Sequence, residues 1–210
     1  MKATLKILYL FAFVSFIMFT NGCSEDSEDV YITENIQEQI SILQKDKDAL
    51  LFMLEEEKLA RDTYQYLNEK WNMSQFANIK NSEQTHMNAI ETLLQQYKVS
   101  YTILPEGVFS DPALQTLYDT FKVDGEKSVI AALQIGATIE DLDIKDLETF
   151  IADTDNIEII NVYQSLQCGS RNHLRSFMQG LATNGGDYTQ QFITEAEFNT
   201  IINGSHEQCN

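Results

Sequence analysis

The stretch that decides the fold class is DKDALLFMLEEEKLARDTYQYLNEKW, residues 46–71. Leu50, Met53, Leu54, Glu57, Ala60, Arg61, Tyr64 and Leu67 recur in it at steps of three and four. That period is the period of an α-helix with one face turned to a core. The spacing predicts a long helix from about Asp46 to Trp71, with Glu57 and Tyr64 on its inner side.

Outward from this helix the pattern repeats. Asn72-Met73-Ser74 breaks the first helix, and Ser74 is expected to cap the next. Ile79, Ser82, Glu83, His86, Ile90, Leu93, Leu94 and Tyr97 then form a second stripe. Both prolines of the chain, Pro105 and Pro112, fall in the segment 98–125. Asp111-Pro112 reads as a cap followed by proline in the first turn of a short helix to about Phe121, with a turn at Asp124-Gly125. A third long helix is expected from about Glu126 to Ile151, with Val129, Ala132, Leu133, Gly136, Glu140, Asp143, Leu147 and Phe150 on one side. Gly136 inside it permits close helix approach. A fourth is expected to about Leu181, with Ile159, Tyr163, Leu166, Ser170, His173 and Phe177 on one side and Asn184-Gly185-Gly186 ending it. Thr194 starts a short last helix. Short links make two antiparallel pairs, and residues 98–125 are too long for a hairpin and read as a crossover. The predicted fold is all-α, a four-helix bundle with one long crossover, which is the ferritin-like topology.

Composition agrees with a helical domain and narrows its chemistry. The chain has 210 residues, 43% of them hydrophobic, with two Pro and nine Gly. It carries 32 Asp and Glu against 14 Lys and Arg. Such an acid excess excludes nucleic-acid backbone binding and a basic membrane-docking face as defaults. It leaves metal chemistry open, because carboxylates are ligands of hard cations.

The N-terminus reads as a targeting segment. Lys2 and Lys6 precede an apolar run from Ile7 to Phe19 and then Thr20-Asn21-Gly22-Cys23. The run is short for a membrane span and suits a secretory signal, a true membrane anchor being the other reading. Gly22-Cys23 resembles the lipobox of bacterial lipoproteins, with Thr20 where Leu is commoner. The resemblance implies cleavage before Cys23, acylation of its thiol and attachment to a membrane. Residues 1–22 are then a lipoprotein signal peptide, 23–45 an acidic tether and 46–210 the bundle domain. The acidic run Ser24 to Asp29 resembles surface-export signals of Bacteroidetes lipoproteins, or is a solvated spacer. An exported lipoprotein of the outer membrane or cell surface of a Gram-negative bacterium is the localisation implied. With Cys23 acylated, Cys168 and Cys209 are left as a candidate disulfide pair; the alternative is a buried Cys168 and a frayed Cys209.

The inner stripes carry the chemistry. They present Glu57, then Glu83 and His86, then Glu140 and Asp143, then His173. Spacing of three puts Glu83 with His86, and Glu140 with Asp143, on single helix faces. Two of the three His of the chain thus fall on inner stripes. Di-iron and di-manganese sites in bundles use Glu from two helices and Glu-x-x-His from the other two. Carboxylates offset and bridge the metal charges, and imidazole completes each coordination sphere. Glu55 and Glu56 read as a solvated charged face. Arg61 and Arg171 are expected as partners of buried or rim carboxylates, orienting ligands or forming ordinary ion pairs. Tyr64 and Tyr163 read as core aromatics, and His206 as a surface residue.

Three motifs carry a family resemblance: Leu54-Glu55-Glu56-Glu57-Lys58-Leu59-Ala60-Arg61-Asp62-Thr63-Tyr64, Ser82-Glu83-Gln84-Thr85-His86, and Gly169-Ser170-Arg171-Asn172-His173-Leu174. Together they resemble the "domain of unknown function 2202" family, over about residues 48–205, and that family looks like a member of the ferritin/rubrerythrin-like superfamily. Glu57 with Tyr64 resembles the Glu-x6-Tyr of the first ferritin helix, and Glu140 with Asp143 the paired carboxylates of rubrerythrins. The resemblance implies two iron ions, or manganese, on Glu57, Glu83, His86, Glu140, Asp143 and His173, with Tyr64, Arg61 and Arg171 behind them. Oxygen or peroxide is the implied small-molecule substrate, and a homodimer is a possible assembly. Ser170 departs from the pattern, which expects Glu three residues before His173. A ferritin-like di-metal protein oxidising Fe²⁺ or reducing peroxide is the leading expectation. A surface structural module with a degenerate site, and divalent-metal capture without turnover, are the alternatives. The chain has no Cys-x-x-Cys rubredoxin-like electron donor.

Overall fold

The stripe from Leu50 to Leu67 folds as α1, Gln44–Trp71, with every one of its apolar members buried. The computed structural model describes residues 42–209. The expected signal peptide, the lipidation site Cys23 and the tether up to residue 41 lie outside the described residues. The helix begins two residues before Asp46 and ends at Asn72, whose φ of 49° is left-handed. Asn tolerates that conformation better than most side chains. Its N–H closes the helix on the carbonyl of Asn68.

Five further helices follow: α2 Ser74–Gln96, α3 Pro112–Gly125, α4 Val129–Asp153, α5 Ile157–Thr183 and α6 Glu195–Asn203. The described residues contain no strand. Ser74 is not a cap. Extended backbone at Met73 already starts α2, so Ser74 is its first helical residue and no side chain caps it. Asp111 caps α3 by accepting from the N–H groups of Ala113 and Leu114 at 2.7 and 3.3 Å. Pro112 sits where no helical donor is required. Asp124-Gly125 is the last piece of α3 rather than a turn. Gly125 lies against Leu67, where a Cβ would come within 2.6 Å of Leu67 Cδ2. Ser128, Asn156 and Thr194 cap α4, α5 and α6.

Helix α2 runs back along α1, and α5 back along α4. The pairs meet through α1 with α4 and α2 with α5; α3 leans on α1 and α4, and α6 on α5. At Gly136 the ring of Phe177 occupies the place a Cβ would take. No described helix is long and apolar enough to cross a membrane.

Two apolar cores fill the interior. One gathers Tyr64, Leu67, Phe76, Leu133 and Phe177, and the other Leu50, Met53, Ile90, Leu94 and Tyr163. On α1, α2 and α5 the change from one core to the other falls at Glu57, at Glu83 to His86, and at Ser170 to His173. On α4, Glu140 and Asp143 lie between Ala137 and Leu147. A polar layer therefore separates two dry ones. Tyr163 is a core residue, as expected.

The crossover is tied to α1 by buried charge. Lys58 is 2% exposed and donates to Asp62 at 2.6 Å and to the carbonyls of Pro105 and Val108 at 2.9 and 3.1 Å. Its ammonium also sits 4.2 Å from the centroid of Phe109. Asp62 accepts from the Gly107 N–H at 2.9 Å. Glu55 accepts from the N–H groups of Ser110 and Asp111. Its carboxylate is thus a loop anchor, not a solvated charge.

Candidate metal centre

Each long helix delivers its inner polar residue to the same layer. Glu57 and Glu83 are both 2% exposed, as is Glu140; Asp143 is 5% exposed, and His86 and His173 are each 8% exposed. A carboxylate in such a place is costly without a compensating charge.

Glu83 is the hub. Its Oε2 lies 2.9 Å from Nδ1 of His86, and its Oε1 lies 2.9 Å from Nδ1 of His173. Glu57 Oε2 approaches Nδ1 of His86 from the other side at 3.2 Å. Glu140 Oε2 approaches Nδ1 of His173 at 3.3 Å. Two triads result, Glu57–Glu83–His86 and Glu83–Glu140–His173, each with its ligand atoms within 4.8 Å of one another. The two imidazole rings stack with centroids 5.5 Å apart. These groups could hold a metal ion in each triad, with Glu83 common to both.

Several atoms here have no ordinary partner. Glu57 Oε1, Glu83 Oε1 and His173 Nδ1 are buried without an aligned hydrogen bond. Buried polar atoms are normally satisfied, so an unpaired set of this kind calls for a missing partner. Carboxylate oxygens and imidazole nitrogens are the donor set of iron, manganese and zinc. Glu57, Glu83, Glu140 and Asp143 together also bring four negative charges, which two divalent cations match. The residues fit a bound metal ion.

The electrostatics of the metal-free cluster follow from burial and proximity. Burial pushes the Glu57 carboxyl up to about 7 against the pull of His86. Burial and the neighbouring Glu83 push Glu140 to about 7 as well. Burial would raise Glu83 too, but the flanking His173 and His86 outweigh it and hold it below the usual carboxylate range. Burial lowers the His173 imidazole, yet Glu83 and Glu140 override it and carry its pKa to about 10. His86 is raised in the same way by Glu57 and Glu83.

Neighbouring groups orient these side chains. The Tyr64 hydroxyl donates to Glu140 Oε1 at 2.5 Å. Ser82 Oγ lies 3.0 Å from Nε2 of His173, leaving Nδ1 to face the carboxylates. Asp143 stands outside both triads. Its Oδ2 is held by the Ser170 hydroxyl, and its Oδ1 is buried and unpaired.

Other expected residues are elsewhere. Arg61 binds Asp62 and Gln84, both at 2.7 Å, and not the ligand carboxylates. Arg171 and Arg175 clasp Glu207 of the C-terminal tail. Both expected supporting arginines are thus ordinary ion pairs, because their guanidinium groups reach the rim while the layer stays inside. Cys168 and Cys209 are joined in a disulfide that holds the same tail to α5. His206 is exposed in that tail.

Glu56 corrects the sequence reading outright. It is 2% exposed, with neither oxygen partnered. A run of three Glu on α1 spans more arc than one face, and α4 covers the part holding Glu56. Gly169 was also missed. A Cβ there would come within 2.6 Å of Nε2 of His86, so glycine makes room for the ring. Its position one turn before His173 was the available signal.

A family model described as an uncharacterized protein domain, DUF2202, matches residues 46–205. The chain belongs to the DUF2202 family. The match spans α1 to α6 and includes all six expected ligand positions. An uncharacterized protein, MJ0754 of Methanocaldococcus jannaschii, is 46% identical over 180 residues, covering 85% of this chain and 96% of its own length. The crystal structure of the hypothetical protein MJ0754 from Methanococcus jannaschii superposes with a TM-score of 0.78 at 47% identity, covering 79% of this chain and 96% of that chain.

Proposed function

We propose that this DUF2202 protein is a ferritin-like bundle holding a di-iron centre, with manganese as the alternative metal. The observation that carries the reading is the position of Glu83, which offers one oxygen to each histidine-bearing triad. Glu57 and His86 would hold one metal, Glu140 and His173 the other, and Glu83 has an oxygen to offer each. Iron held there would supply electrons to oxygen or peroxide, and Fe²⁺ oxidation or peroxide reduction is the reaction proposed.

The chain's own residues support that chemistry in definite ways. The apolar cores on either side of the layer keep bulk water out and strengthen every charge interaction inside it. Tyr64 fixes the orientation of Glu140, and Ser82 that of His173. Such supporting bonds set the basicity and direction of ligands. Ser170, neutral where the two-fold pattern has Glu, makes the two halves unequal. That asymmetry favours a second reading, capture of a divalent metal without turnover.

The reading places the bundle on a lipid tether. Lys2, Lys6, the run Ile7 to Phe19 and Gly22-Cys23 support it, and with it an exported lipoprotein at the outer membrane or cell surface. Fatty-acid labelling that Cys23→Ala abolishes would bear this out.

The test of the centre is metal content. The purified chain, loaded with Fe²⁺ or Mn²⁺ and dialysed, is expected to retain about two ions per chain. Glu83→Ala should remove both, and His173→Ala should spare at most one. Retention below about 0.2 per chain in the wild type would sink the di-metal reading. Metal bound without consumption of oxygen or peroxide would favour capture over turnover.

A further inference from the structure

A second set of acids leads out of the metal layer. Helix α4 carries Glu140, Asp143 and Asp146 at intervals of three, one line of side chains rising about 9 Å along the axis. Exposure grows along it: Glu140 is 2% exposed, Asp143 5%, and Asp146 is half-buried at the surface. Glu56 of α1 faces this line, close enough to Asp143 and Asp146 for their charges to raise its carboxyl beyond the rise that burial causes. Ionised, the Glu56 and Asp146 carboxylates bring each other no donor, so only a proton or a cation can join them, and both oxygens of Glu56 are buried without a further partner. The buried Oδ1 of Asp143 is unpartnered too. Lys145, next to Asp146 in sequence, is turned to Glu148 at 2.6 Å. Like charges packed this way raise one another's energy, and a cation between them removes the cost.

We infer that Asp146 and Glu56 form the port through which a divalent cation enters, with Asp143 passing it to Glu57, Glu83 and Glu140. The inference rests on the metal centre proposed above and adds the route that supplies it. Lys145 acts on Asp146 from beside the line, its ammonium paired with Glu148. Asp143 stands between the port and both triads, held at one oxygen by Ser170 and free at the other. A neutral Ser170 beside it lets the cation move on, where a Glu would add a further ligand.

The experiment is stopped-flow uptake of Co²⁺ by the full chain, read from the visible d–d bands of the bound ion, with final metal content by elemental analysis. Glu56→Gln with Asp146→Asn should slow uptake about tenfold, the scale of a lost charge funnel, and leave the final metal per chain unchanged. Asp155→Asn, an exposed acid away from the line, should load at the wild-type rate. Asp146→Asn alone, at a half-buried position that tolerates the change, should give part of the slowing, so the test survives if the double variant folds poorly. Wild-type loading kinetics in both variants would overturn the port and leave the centre standing. Loss of one ion per chain would also overturn it, since Glu56 or Asp146 would then be a resident ligand. A wild-type chain that takes up no Co²⁺ would overturn the centre and the port together.

Discussion

The imidazole of His86 lies directly against Gly169, in the space a side chain would fill. A Cβ at Gly169 would stand 2.6 Å from Nε2 and 2.7 Å from Cε1 of the ring. Both atoms belong to a ring whose other nitrogen faces Glu57 and Glu83. Gly169→Ala is therefore expected to turn the ring and weaken the Glu57–Glu83–His86 triad while sparing the other. The affinity of one metal position should fall by 10- to 100-fold, the cost of disturbing a ligand's support. Equilibrium dialysis over a range of metal concentrations separates the two positions, and equal weakening of both would refute the assignment.

The protonation of the layer predicts a pH dependence. Burial opposes charge on His173, but Glu83 and Glu140 carry its pKa from 6.5 to about 10. A pKa raised on folding stabilises the metal-free protein fully below 6.5, and that contribution is lost as the pH rises through about 10. Denaturant midpoints of the metal-free protein should fall from pH 6.5 to pH 10. His173→Gln should flatten the slope. Binding a cation at pH 7.5 should release protons, because ligating imidazole must be neutral. Calorimetry in buffers of different ionisation enthalpy measures that release, and none would contradict the scheme.

Lys58 tests how the crossover is held. Its ammonium is buried against Asp62, two carbonyls and a ring. Lys58→Met leaves the Asp62 carboxylate inside without that partner, and should cost about 3 kcal/mol in guanidinium unfolding. The pair K58M with Asp62→Asn should cost less than the two single changes added together. Simple additivity would mean that the ion pair is not coupled.

The disulfide joins residues separated by 41 positions. Closing a loop of that length in the unfolded chain stabilises by roughly 4 kcal/mol at most. Cys168→Ser with Cys209→Ser should lower stability toward that limit. Glu207 between Arg171 and Arg175 should still keep the tail docked at neutral pH. Those guanidinium groups hold Glu207 at about 2, below its ordinary 4.5. The depressed pKa stabilises above 4.5 and the contribution is lost as the pH falls toward 2. In the double serine variant, limited proteolysis of the tail should therefore rise between pH 4.5 and pH 2; an unchanged digestion pattern would contradict this.

The helices were legible because their signal is local. A period near 3.6 is written in one segment, and so are caps such as Asp111-Pro112 and Thr194. The same period placed Glu57, Glu83, His86, Glu140, Asp143 and His173 inward without knowledge of any neighbour. It failed at Glu56, because the width of a buried face depends on how many helices cover it. The sequence pointed to a rim carboxylate beside Arg171 but could not name Glu207, which is 36 residues away. Long side chains at a helix edge can turn inward or outward, and only the packing decides which.

The sequence by itself determined the helical class, the family and the inward carboxylates and histidines, since each depends on residue type and spacing along one segment. Only the tertiary structure decided that Glu83 stands between both histidines, that Asp143 answers to Ser170, that Gly169 makes room for His86, and that Glu56 meets Asp146 across two helices. Those relations are set by the rotation and offset of packed helices. They arise from close packing of distant segments, which no periodicity within one helix encodes.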